Sequence, residues 1–159
     1  MDSRERLLEA LRRAFDGRSW HGPNLLGAIR GVTPEEAFFR PGRGRHSVYD
    51  LVLHAAYWKY VARRRLTGER RGSFPMKGSN FFDEPGTKDA LAVAAAREVL
   101  VGEHGALVES VRTLPDSGFA ERRGKWSAEE LIAGVAAHDL YHAGQIQLVK
   151  KFFAERGRR

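Results

Sequence analysis

The sequence predicts an all-α protein, and three observations carry that reading. Four stretches repeat apolar residues at helical spacing. Two of them open on a Ser followed three residues later by a carboxylate, as a capping box requires, and no strand-like alternation of any length occurs. A chain of 159 residues that is 42% hydrophobic also suits one domain over 1–159 with a real core.

The first helix is expected over residues 3–16, where Leu7, Leu8, Leu11, Ala14 and Phe15 share one side of a charged segment, and Gly17 ends it. The stretch "WHGPNLLGAIRGVTPEEAFFRPGRGR" reads as a connector with helical turns. Pro23 and Pro34 are placed as first-turn residues of two short helices and Pro41 as a stop. Ser47 and Asp50 cap a second long helix over 47–66, closed by Gly68. The next segment, "GERRGSFPMKGSNFFDEPG", has no regular period, and a loop of that length inside a compact fold is ordinarily functional; it is expected to form a partial lid. Thr87 is placed as the cap of a third helix running to Leu114, with Pro115 and Gly118 breaking the pattern. Ser127 with Glu130 caps a fourth, running to about residue 155 before the basic tail "ERGRR", which is expected to fray.

Composition excludes several chemistries. The chain has no cysteine, which removes disulfides, thiolate zinc clusters and thiol nucleophiles; any sulfur chemistry would use a substrate's sulfur. The charged start "MDSRERLLEA" is unlike a signal peptide and no apolar run of about 18 residues occurs, so the protein is expected in the cytoplasm and off the membrane. A net charge of +7 favours anionic partners in general. The basic runs at 62–65 and in the tail read as solvated faces, without the interleaved stacking aromatics of a nucleic-acid module.

The fourth helix carries "AAHDLYHAGQI". Steps of four and three along it give Leu131, Val135, His138, His142, Gln145, Val149 and Phe152 as the inward seam. The same counting on the second helix gives Leu51, His54, Trp58 and Val61. A lone interior imidazole ordinarily donates to a carbonyl or packs as an aromatic, but three in register suit shared coordination of one metal ion. The spacing invites comparison with the H-E-x-x-H protease signature, yet position 139 is Asp, one methylene short of the Glu that reaches a metal-bound water. Three neutral imidazoles leave the ion its double charge and at least one open position, as in catalytic zinc sites.

These segments resemble a known family. "HSVYDLVLHAAYWKYVARRRLTGE" and "AAHDLYHAGQIQLVKK" look like the two signature helices of DinB-like proteins, also called YfiT-like metal-dependent hydrolases, and the likeness extends to the "WHGPNLLGAI" connector. The resemblance implies a four-helix bundle with long crossover connections, a divalent metal such as zinc or nickel held by His54, His138 and His142, and frequently a homodimer. It also implies a hydrolase, or a thiol transferase using a low-molecular-weight thiol beside its small-molecule substrate. The alternative is a non-catalytic metal- or ligand-binding stress-response module, since fold does not dictate function.

Gln145 and Tyr141 are the candidate catalytic residues, Gln145 as a donor to a bound ligand or substrate and Tyr141, with Tyr57, as a source of a phenol. Trp58 is read as core, His46 and His21 as exposed, His104 as a hydrogen-bonded core residue, and Asp50 as a helix cap.

Overall fold

The computed structural model describes residues 2–157, so Met1 and the last two arginines of the basic tail lie outside it. The elements are α1 (Ser3–Phe15), the short α2 (Leu25–Ala28) and α3 (Pro34–Ala37), α4 (Val48–Thr67), α5 (Ala90–Thr113) and α6 (Ala128–Glu155). A 3-10 turn (Asp116–Phe119) and the two-residue strands β1 (Arg122–Arg123) and β2 (Trp126–Ser127) lie between α5 and α6. This is an all-α fold. The antiparallel β1–β2 pair is an exception to the strand-free expectation, and two residues are too few to leave an alternation pattern.

The caps explain most boundaries. Ser47 with Asp50 and Ser127 with Glu130 form complete capping boxes, and Gly68, at φ 77°, closes α4 in the left-handed region that glycine adopts without strain. Two starts differ from expectation. Asp89, not Thr87, caps α5 by accepting from the Ala92 N–H, so the helix begins at Ala90. Asn24 caps α2 by accepting from Gly27, which leaves Pro23 ahead of the cap; Pro34 does occupy the first turn of α3.

The four long helices pack as a ring in which α4 contacts α5 and α6, and α1 contacts the same two helices. The segment 68–89 thus joins neighbours, while the connector carrying α2 and α3 crosses from α1 to α4. Arg40 ties these two segments together, reaching Asp50 at 2.7 Å and Glu84 at 2.9 Å. Asp50 is accordingly more than a cap. Arg63 departs from the solvated-face reading, because it pairs with Glu103 and Glu69 and is only 12% exposed. No helix of the described residues is long and apolar enough to cross a membrane.

The apolar interior lies in two pieces. One gathers Val48, Leu51, Val52, Leu53 and Ala55 of α4, Leu100 of α5 and Ala143, Ile146 and Val149 of α6. The other gathers Ala62 and Leu66 of α4, Leu107 and Val111 of α5, and Ile132, Val135 and Ala136 of α6, with Leu7 and Leu11 of α1. Between them the helices bury Lys59, Glu103, His104 and Asp139. This polar layer sets the level of the candidate site.

Candidate metal centre

Midway along the helices, α4 contributes His54 and α6 contributes His138 and His142. The His138 Nε2 lies 3.2 Å from the His54 Nε2 and 2.9 Å from the His142 Nε2. Two nitrogens each about 2.0–2.1 Å from one ion, at tetrahedral or octahedral angles, stand roughly 2.8–3.4 Å apart. The observed spacings match. The three residues form a group able to hold a metal ion.

Two of the rings are held in the tautomer that coordination needs. The His54 Nδ1–H donates to the Asn80 carbonyl at 3.2 Å, and the His142 Nδ1–H donates to the Gln145 Oε1 at 2.7 Å. With its Oε1 turned to His142, the Gln145 NH2 donates to the Tyr141 hydroxyl at 3.2 Å. Both Nε2 atoms therefore present lone pairs. The buried His138 Nδ1 has no hydrogen-bond partner. In a neutral triad one ring N–H can bridge only one of the two short contacts, and the other sets lone pair against lone pair. A cation placed among them removes that conflict, so the donor set fits a divalent ion.

Electrostatics keeps the rings ready. Burial holds the His138 imidazole down to about 3, with the neighbouring His142, His54 and Lys59 pushing the same way. His142 is lowered to about 4, again chiefly by burial and against the pull of Gln145. Burial likewise lowers His54, partly offset by its bond to Asn80. Neutral imidazole is the metal-binding form.

The DinB superfamily matches residues 19–146. The chain belongs to the DinB superfamily. No curated protein and no solved structure matches it. In this DinB-superfamily chain the match runs from the connector through the last of the three histidines, so all three lie within it.

The loop between α4 and α5 covers one side of the triad. Phe81 stacks on the His54 ring at 4.4 Å and on His46 at 3.7 Å, while the Asn80 side chain accepts from the Trp58 indole N–H at 2.9 Å. Asn80 has φ 67°, a left-handed conformation that Asn tolerates better than most residues. It thereby holds a triad histidine with its backbone and Trp58 with its side chain. No periodic signal marks Asn80 or Phe81 in the sequence; only the aperiodic "SNFF" within a long loop pointed there.

Several side chains sit elsewhere than expected. Trp58 is 37% exposed and walls a cleft, so it is not core. The seam of α6 runs through Ile132, Val135, Asp139, His142, Ile146 and Val149, and Phe152 is exposed, because the packed stripe is centred nearer Asp139 than His138. Asp139, too short for a catalytic base in this spacing, is fully buried and pairs with Lys59, itself fully buried on α4. His104 is core but not hydrogen-bonded at Nδ1; its ring stacks on Phe15 at 3.6 Å. Tyr57 packs with Tyr60, Phe74 and Phe82 under the loop, and Tyr141 is 64% exposed. His46 and His21 are exposed, as expected.

Proposed function

We propose that this DinB-superfamily protein is a metal-dependent enzyme in which His54, His138 and His142 hold one divalent cation of the kind imidazole suits, zinc or nickel by resemblance to the family. The observation that carries the reading is the convergence of three neutral Nε2 atoms, with no carboxylate in the group and with His138 also lining a cleft. When bound, such an ion supplies Lewis acidity to a water or to a low-molecular-weight thiol at an open position.

The chain's own residues would do the rest. Asn80 and Gln145 hold the His54 and His142 rings, and Tyr141 accepts from Gln145, so Gln145 and Tyr141 enter the proposed machinery as positioning residues acting through His142. Phe81 and Trp58 exclude water from two sides. Arg45 and His46 line a hollow that includes Gln145, where carboxylates of a cosubstrate thiol would pair.

The test is the visible spectrum of the cobalt(II)-substituted protein. A shift on adding glutathione or cysteine supports thiol activation, and a shift with pH alone supports activation of water. A spectrum indifferent to thiols, azide and pH would show a closed coordination sphere and refute the enzyme reading.

A further inference from the structure

A cleft of about 500 Å3 runs between α4 and α6 and begins at the triad, for His138 and Trp58 line its inner end. Its walls are apolar, formed by Val61, Ala62, Leu131, Gly134 and Val135. A volume of this size suits a small organic molecule. The two helices run antiparallel along it: His54 of α4 meets His142 of α6, Lys59 meets Asp139, and Arg65 shares the outer end with Glu130 and Trp126. From Trp58 to Arg65 the helix rises about 10 Å.

The outer end is basic. Arg65 is exposed and makes no ion pair among the described residues, and an adjoining hollow shares Arg65 and Trp126 with the cleft while adding Lys125 and Arg123. Arg123 is paired with Glu121, at 2.7 Å. The carboxylate of Glu130 keeps its negative charge at this end, but it is turned to the capping box of α6, where it accepts from the Ser127 N–H at 2.7 Å. It forms no ion pair with Arg65, so Arg65 and Lys125 together outnumber it. An apolar trough thus has a candidate metal site at one end and unpartnered positive charge at the other. Gly134 lies on its floor, and a Cβ added there would meet nothing within 4 Å.

We propose that this cleft binds an amphipathic organic anion, its aromatic or branched alkyl body against Trp58 and its carboxylate or sulfonate at Arg65 and Lys125. As a substrate class this rests on the metal-enzyme reading, since it places the end of the molecule remote from the anionic group beside His138. As a binding site it does not.

The experiment titrates 4-phenylbutanoate, 4-phenyl-1-butanol and 4-phenylbutylamine into the metal-loaded protein by calorimetry, with metal content measured on each sample. The carboxylate should bind about fivefold more tightly than the alcohol, the range an exposed ion pair provides, and the amine more weakly than either. Arg65→Ala should bring the carboxylate to the alcohol's affinity. Gly134→Leu, which fills the trough without meeting backbone, should weaken both about tenfold or more while metal content and helicity stay unchanged. Equal binding of all three probes, absence of binding, or indifference to Gly134→Leu would overturn the proposal. So would sedimentation showing a wild-type dimer that Gly134→Leu dissociates, because the groove would then be covered by a second copy. Loss of metal with probe binding retained would instead remove the enzyme reading and leave the cleft standing.

Discussion

At Lys59 and Asp139 the fold buries a cation against an anion, whereas one turn away at His54, His138 and His142 it buries acceptors against one another. The first pair supplies charge for charge within the chain: both side chains are fully buried, the Lys59 ammonium donates to Asp139 Oδ2 while Oδ1 has no hydrogen-bond partner, and the ammonium lies 5.0 Å above the Phe15 ring as well. The second group has donors only on its outer nitrogens, at Asn80 and Gln145, and turns its inner ones on a common point. The ion pair is matched in charge by its own two members. The triad, with at most one ring N–H to share between two short contacts, is a group that could hold an ion from outside.

The sharpest way to break this contrast is to remove one member of the pair. Lys59→Met should cost about 3–5 kcal/mol in denaturant unfolding, because it strands the Asp139 carboxylate in the interior. The double variant Lys59→Met, Asp139→Leu should recover most of that loss. Neither result should depend on added chelator. A single variant as stable as the wild type would mean that the pair is not buried as described.

The triad should behave in the opposite way, drawing stability from a free ligand. Added zinc at about a hundredfold over its Kd should raise the unfolding free energy by about 2.7 kcal/mol, measured in chelator-cleared protein, and His138→Ala should abolish the increment. An equal increment in that variant would place the ion elsewhere.

Acid separates the groups next. Burial lowers His104 to about 3 and His138 and His142 to about 3 and 4, from an ordinary value of 6.5. The unfolded chain therefore takes up protons first as pH falls below 6.5, and the metal-free fold loses stability from there down to the lowered values; above 6.5 these groups contribute no slope. Each imidazole held neutral contributes about 1.4 kcal/mol per pH unit once well below 6.5. His104→Phe preserves the stack on Phe15 and should remove one such share from unfolding curves taken between pH 6 and 4. An unchanged slope would contradict the burial of His104.

Asn80→Gly should have the smallest effect. Glycine keeps the left-handed backbone and the carbonyl that holds His54, so metal content should be unchanged, while loss of the bond to Trp58 should alter indole fluorescence and cost about 1 kcal/mol or less. Loss of metal would show that the side chain, and not the carbonyl, sustains His54.

How far the sequence reached follows the same division. A helical period locates α1, capping boxes locate the starts of α4 and α6, and histidines at interior positions of α4 and α6 locate the candidate centre, because spacing within a helix tells which residues share its face. Lys59 and Asp139 gave no such signal. A charged residue inside a helix normally marks the solvent face, and only the packing of α4 on α6 shows that these two meet in the core. Asn80 was out of reach for another reason: it acts through a backbone carbonyl in an aperiodic loop, and a carbonyl carries no residue type. Thr87 gave way to Asp89 because neighbouring residues that can cap compete for the same few amide groups, a choice made by the final geometry of the turn. Pro23, expected in the first turn of α2, lies ahead of it because Asn24 takes the cap.

The proposed role of the triad requires three imidazoles from two helices to grip one cation, and metal stoichiometry measures that directly. Wild-type protein reconstituted with zinc or nickel and freed of excess should retain one ion per chain, and His54→Ala, His138→Ala and His142→Ala should each reduce it toward zero while keeping the helical circular dichroism of the parent. Full occupancy in the triple variant, or none in a folded wild type, would contradict it.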